Sequence, residues 1–338
     1  SNTTGASNVA VGFLALDANT TAADNVAVGQ SALTTNTTGA DNVAIGAHAL
    51  DANTTASNNI AVGRSALLVN TTGTQNVAVG ANALDANTTA SNNTSVGYAS
   101  LGSNTTGANN TALGYAAASG VTTGIYNTAI GNDTGSAITT GTRNTILGNN
   151  SSSVLTTGNY NTIVGSYNEV SASGAEHQKV LGYGVTGANG ATIFGNGSTD
   201  SSIADGATSI TAPSDVRLKE DIQDEEVGLD FINELRPVTF RWKKAKDVPS
   251  EMKVHDPDSD ERVMNGKYNH GFIAQEVKEV IDNHNLKEGF EMWQEDEADG
   301  RQRIGEAALM SVMVKAVQEL SAQVEALESQ PKCKCKGE

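Results

Sequence analysis

The chain is short of almost everything a compact enzyme is built from. Aromatic residues make up 4% and charged residues 17% of its 338 positions, both low for a globular domain. Such a chain is not expected to bury much core of the usual kind, and the entropy of ordering so many small residues has to be offset by repetition or by association. Cysteine is nearly absent. Cys333 and Cys335 both lie in the closing KCKCKGE, so a disulfide framework is excluded and 331–338 reads as a loose, solvated tail. Basic residues are outnumbered, with a formal net charge of −17. Phosphate backbones need a basic face, so nucleic acid is not an expected partner. No run of about 18 apolar residues occurs, so insertion into a membrane is not expected either. Neither metal-ligand spacing nor a cofactor motif stands out, and no metal or cofactor is expected. No signal peptide is visible, and the chain opens on Ser1 rather than Met, as a fragment or processed product would.

What is abundant is Gly, Asn, Thr and Ala in a period. NVAVG at 8–12 returns at 25–29, as NVAIG at 42–46, NIAVG at 59–63 and NVAVG at 76–80. It continues through NTSVG at 93–97 to NTIVG at 161–165, always 17 residues on, and decays through KVLG and TIFG by about 197. Such a period without slippage is the mark of a solenoid. Val9 and Val11 alternate with Ala10, a strand pattern. Gly12 and its equivalents end the strand where a corner needs positive φ or close backbone approach. A second small apolar patch follows, as in Ala32-Leu33, and then a polar corner such as Asn36-Thr37-Thr38-Gly39. One repeat thus reads as one coil of a parallel β-roll, with Val stacked on Val and asparagine ladders at the corners. Its apolar residues are mostly Ala and Val, too small to fill a coil, so three coils are expected to share a core about a threefold axis; a single-chain solenoid is the alternative.

Asn-X-Thr triplets such as Asn19-Thr20-Thr21 read as turn chemistry rather than glycosylation acceptors. Asp17, Asp51 and Asp85 recur two repeats apart and read as a surface stripe, because glycosidic chemistry needs two carboxylates opposed across a sugar. NVAVG and NTAIG with flanking small residues resemble the head repeats of trimeric autotransporter adhesins and the repeats of bacteriophage tail fibres. That resemblance covers 1 to about 200 and implies a trimeric parallel β-roll, here with a period about three residues longer than is usual in the adhesin heads.

At Ser214-Asp215-Val216-Arg217-Leu218-Lys219 the character changes. A serine with a lysine five positions on is a minimal hydrolytic pair, since a lysine in an apolar setting can act as the base for a hydroxyl. The same spacing also fits a helix N-cap or turn. Upstream, 198–213 is a connector ending on Pro213. Downstream, Glu225 to Leu235 reads as a short helix, and Val238, Phe240 and Trp242 as a strand. Lys243 to Asn265 is a charged excursion. Tyr268 to Val277 reads as a strand running into a helix that ends near Asn283. Ile304 is expected to open a last helix over 304–330, with Met310, Met313, Val317, Leu320, Val324 and Leu327 in heptad spacing that predicts self-association.

SDVRLKEDI, RPVTFRW, HGFIAQEV and the closing VKAVQEL, in that order, resemble the C-terminal intramolecular chaperone of endosialidases, phage tail fibres and tailspikes. The resemblance covers 214 to about 330. It implies a homotrimeric shaft (1–197) followed by a small α+β chaperone domain (214–303) that ends in a coiled-coil helix. It also implies a single-turnover self-cleaving serine peptidase. Ser214 would be the nucleophile and Lys219 the base, cutting the Pro213–Ser214 bond, with Asn269 and Gln275 as candidate assisting groups. The implied setting is a virion tail whose shaft attaches to a host cell-surface receptor, glycan or protein. A bacterial surface adhesin of the same architecture, and a structural trimer whose chaperone domain stays attached, are the alternatives.

Overall fold

The computed structural model describes residues 2–198, 200–207, 210, 214, 216–252, 254–264, 266–286, 290, 292–295, 300, 302–305 and 308–329. The chain divides into two units, Ser1–Leu218 and Lys219–Glu338.

The first unit is a β-solenoid. Its strands are β1 (Val9–Val11), β2 (Val26–Val28), β3 (Val43–Ile45), β4 (Ile60–Val62), β5 (Val77–Val79), β6 (Thr94–Val96), β7 (Thr111–Leu113), β8 (Thr128–Ile130), β9 (Thr145–Leu147), β10 (Thr162–Ser166), β11 (Lys179–Tyr183), β12 (Ala191–Gly195) and β13 (Ser201–Ala204). They form one sheet in chain order, parallel as far as β12, with β13 turning back antiparallel to β12. Register follows the period: Val9 lies opposite Val26, then Val43, Ile60 and Val77. The expected stacking of like on like is what the sheet shows.

From β2 to β9 each three-residue strand turns its middle residue inward and its two flanking residues outward, as the period of two requires. The inward Ala27, Ala44 and Ala61 meet Leu33, Leu50 and Leu67, all fully buried. The interior of a coil is therefore filled within one chain. Alanine and valine alone would not fill it; the leucine and asparagine of the corners complete it. Those leucines stand in the left-handed region, Leu33 at φ 52° and Leu67 at φ 51°. That conformation costs a branched side chain about 1–2 kcal/mol, and full burial of a leucine returns about 1.5–3 kcal/mol, so burial wins by a small margin.

Two asparagine ladders run through the interior. In one, Asn36 Nδ2 donates to Asn19 Oδ1 (3.2 Å), Asn53 to Asn36 (2.9 Å), Asn87 to Asn70 (2.8 Å) and Asn104 to Asn87 (2.9 Å). In the other, the backbone N–H of each Asn donates to the Oδ1 one coil earlier, from Asn25 on Asn8 to Gln178 on Asn161, both 3.0 Å. Asn19 and Asn36 are thus buried rungs that also bond their own corner, Asn19 Nδ2 donating to Ala22 O (3.1 Å) and Asn36 Nδ2 to Gly39 O (2.9 Å), the turn chemistry expected of them. Positive φ falls to positions such as Asp24 and Asp41, each at φ 58°. The glycine row meets both expectations made of it. Gly46 has φ 135°, and a Cβ there would lie 2.5 Å from the Gly63 carbonyl oxygen.

In the second unit, α1 (Leu229–Glu234) is followed by β14 (Val238–Phe240), β15 (Asn269–Gly271), α2 (Ala274–Asn283), β16 (Trp293–Glu295), β17 (Gln302–Ile304) and α3 (Leu309–Glu328). β14 pairs antiparallel with β15, and β16 with β17. Phe231, Val277, Ile281, Met292, Leu309 and Val312 form the core. Ile304 closes β17 opposite Trp293, so the last helix begins at Leu309, later than its sequence pattern suggests. The charged excursion folds back as a hairpin: Ala245 N–H donates to Glu261 O (2.8 Å), and Lys244 and Lys246 both reach Asp260. Among the described residues no helix is long and apolar enough to cross a membrane.

Candidate functional site

Ser214 and Lys219 flank a single 3-10 turn, Val216–Leu218, and both are exposed. The two units divide between Leu218 and Lys219, so Ser214 belongs to the first and Lys219 to the second. Pro213 and Asp215, and the tail with Cys333 and Cys335, lie outside the described residues. Chemically, the stretch offers a primary hydroxyl and an amine on one short connection. A hydroxyl attacks an amide only when a neutral base takes its proton, and a lysine serves as that base only when shielded from water.

The two candidate assisting residues sit on one β–α corner. Asn269, in β15, is half-buried and donates its Nδ2 to Lys267 O (3.0 Å). Gln275, in the first turn of α2, is exposed and lines a cavity of about 560 Å3 with Phe240, Trp242, His270 and Arg303. His270 meets Thr239 Oγ1 at 3.3 Å, across the β14–β15 pair. The corner thus gathers His270 and Gln275 on one cavity.

Sequence reasoning did not anticipate what joins the two motifs. Arg236 of RPVTFRW forks onto Glu276 of HGFIAQEV, with Nε donating to Oε2 at 2.9 Å and a second bond from the guanidinium to Oε1. The hydrogen bond from Arg236 holds the Glu276 carboxyl below the usual carboxylate range, and Glu276 in turn raises the guanidinium. A bidentate pair of this kind fixes orientation as well as distance. The only available signal was that both motifs carry an opposite charge next to a strand. Glu276 is therefore engaged in tying the start of β14 to α2.

The aspartate row is broken by Thr34 and Leu68 between its members. Asp51 Oδ2 meets His48 Nδ1 at 3.0 Å, and burial raises the Asp85 carboxyl above its ordinary value. Among the described residues no group of three or more His, Cys, Asp or Glu is placed to hold a metal ion.

Two rows of apolar side chains face outward. On the sheet, the row in register from Val11 through Ile45, Val79 and Leu113 to Leu181 and Phe194 is apolar. Val11, Ile45, Leu113 and Leu181 are exposed. On α3, Leu309 and Val312 are buried in the second unit's core and Ala316 is buried too, whereas Val317 and Leu320 are 61% and 49% exposed. Every residue of the expected heptad row, from Met310 to Leu327, is exposed.

Compared with known proteins, residues 214–286 match the peptidase family described as "Chaperone of endosialidase". No curated protein and no solved structure matches the chain. The matched segment begins at Ser214 itself and spans the 3-10 turn, α1, the β14–β15 pair and α2.

Proposed function

We propose that the chain is the shaft and folding domain of a homotrimeric, extracellular fibre of the virion-tail type, used for attachment to a host surface. Its C-terminal part guides assembly and then releases itself by cutting before Ser214. The observation that carries this reading is the heptad row on α3. Six apolar residues at coiled-coil spacing lie exposed on a helix whose adjoining face is already packed. The outward apolar row of the solenoid supports the same association along the shaft, and the match at 214–286 supports the chaperone role.

Ser214 Oγ attacks the carbonyl carbon of residue 213, forming the acyl-oxygen bond as the proton passes to the neutral Lys219 amine. The tetrahedral intermediate collapses, the C–N bond breaks, and the lysine returns the proton to the leaving amine. Water then hydrolyses the ester. In a single chain Lys219 is exposed to solvent. Assembly that covers it favours the neutral amine, which makes cleavage depend on prior association.

Light scattering of the purified protein tests the reading. A mass three times that of the chain or of its shaft is expected. Val317→Asp with Leu320→Asp places charge in the helix seam and is expected to leave the shaft misassembled. A monomer at micromolar concentration, or normal yield of trimeric shaft from the double variant, contradicts it.

A further inference from the structure

Helix α1 has no cap of its own. Gly228 stands at its N-cap and supplies no side chain. The cap comes from 90 residues away: the Leu229 backbone N–H donates to Glu319 Oε2 of α3 at 2.8 Å. A carboxylate on the first N–H groups of a helix makes a charge-assisted hydrogen bond and meets the positive end of the helix dipole. A helix of six residues does not hold itself without such outside contacts. Lys315, one turn earlier on α3, lies 3.8 Å from the other oxygen of the same carboxylate. Gly228 leaves room for it, since a Cβ there would lie 2.5 Å from Oε2.

The stretch from Lys219 to α1 also meets α3 further back. Asp224 and Glu225 form a groove of about 620 Å3 with Met310, Val314 and Gln318. Met310 and Val314 are 65% and 52% exposed. Of these, Met310 is the first residue of the heptad row, so the groove borders the seam assigned above at that residue. One end of the stretch is fastened by Glu319, its middle borders the association seam, and its beginning is Lys219.

We infer that Glu319 is a positioning residue for the Lys219 amine. It fastens the Lys219-bearing stretch to α3, so that packing of α3 against its copies sets the path of that stretch and brings the amine under cover. This inference rests on the self-cleaving trimer proposed above and supplies the physical link between assembly and cleavage. Glu319 itself touches neither the hydroxyl nor the scissile bond.

The test is made in the full chain. In the Ser214→Ala background, which leaves the chain uncut, the rate at which an acetylating reagent labels Lys219 is read by mass spectrometry for the parent and for Glu319→Ala, Glu319→Gln and Gly228→Ala. Glu319→Ala and Gly228→Ala, the second of which pushes the carboxylate off Leu229, are expected to label Lys219 about tenfold faster, the factor that loss of one charge-assisted hydrogen bond gives. With Ser214 restored they are expected to cut more slowly by a similar factor, with the oligomer unchanged by light scattering. Glu319→Gln keeps an acceptor oxygen and is expected to recover most of both. Labelling of Lys219 at the parent rate in Glu319→Ala overturns the inference. So does dissociation of the oligomer in that variant, which makes Glu319 an association residue. If the wild-type chain is never cut, the self-cleavage reading falls by itself, while the labelling comparison still decides the role of Glu319.

Discussion

In the solenoid a side chain meets its own kind one coil before and one coil after. In the C-terminal unit it meets an unlike residue from far along the chain. Asn53 bonds Asn36 and Asn70 bonds Asn53, always 17 residues apart. Arg236 bonds Glu276 over 40 residues, and Leu229 bonds Glu319 over 90. Repetition gives the first unit many equivalent rungs, each set by the coil before it and the coil after it. The second unit makes each of its contacts from Arg236 and Leu229 once, with no repeat of it one coil away.

The comparison breaks most visibly at the glycine row. Gly46→Ala forces a Cβ to 2.5 Å from the next coil's carbonyl at φ 135°. A loss of more than about 3 kcal/mol is expected from strain and overpacking together, read as a fall in the denaturant midpoint. Gly184 also has positive φ, at 66°, but nothing lies within 4 Å of the added carbon. Gly184→Ala is expected to cost about 1 kcal/mol. Equal losses would mean that conformation alone, rather than contact between coils, sets the glycine requirement.

Asn70→Ala comes next. It removes the donor to Asn53 Oδ1 and the acceptor of Asn87 Nδ2. Leaving those buried groups short is expected to cost about 2–3 kcal/mol. Hydrogen exchange is expected to rise in the coils on either side and to stay unchanged in the second unit.

Acid separates the units by sign. Lys244 and then Lys246 hydrogen-bond Asp260 and hold its carboxyl down at about 2, while Arg236 lowers Glu276. A depressed carboxyl lends stability above its ordinary value, 3.8 for Asp260, and loses it as pH falls through the folded value near 2. Asp85 in the solenoid is raised by burial, so protonating it favours the folded state as pH falls. Exchange measured at about pH 5 and at about pH 2 is therefore expected to loosen the second unit first. The pairs are exposed, so the change is small. Earlier loosening of the solenoid would reverse the comparison.

The smallest effect is expected where the ladder stops. Asn104 Oδ1 has no partner in the buried interior, because the next position is Val121. Val121→Asn supplies the missing donor but moves the unpaired acceptor to residue 121, opposite Ile138. A change within about 0.5 kcal/mol is expected. A larger stabilisation would show that the ladder's end, and not its length, is the costly part.

The same contrast explains what was readable beforehand. Strand positions, the glycine row and the stacking of like residues followed from the period, because each coil restates its neighbour's environment. The direction of the corner leucines did not follow, since nothing local favours leucine at φ 52°; only the closed interior of the coil does. In the second unit, the helix that ends at Asn283 and the strand opening at Val238 were readable from the spacing of their apolar residues. The start of α3 was misplaced because Ile304 fits the helical spacing while its pairing with Trp293 is non-local. Ser214 and Lys219 were readable as a spacing, and the match beginning at Ser214 agrees with the resemblance. The groups that hold their surroundings, Glu276 and Glu319, were not, because their partners lie 40 and 90 residues away.

The measurement that bears most directly on the account is intact-mass spectrometry of the purified wild-type chain beside Ser214→Ala and Lys219→Ala, with the N-termini of all pieces read. Two wild-type pieces are expected, the second beginning at Ser214, and one uncut chain from each variant, all assembled as trimers before denaturation. Cleavage that persists in Ser214→Ala, or an intact wild-type chain in an assembled trimer, would contradict it.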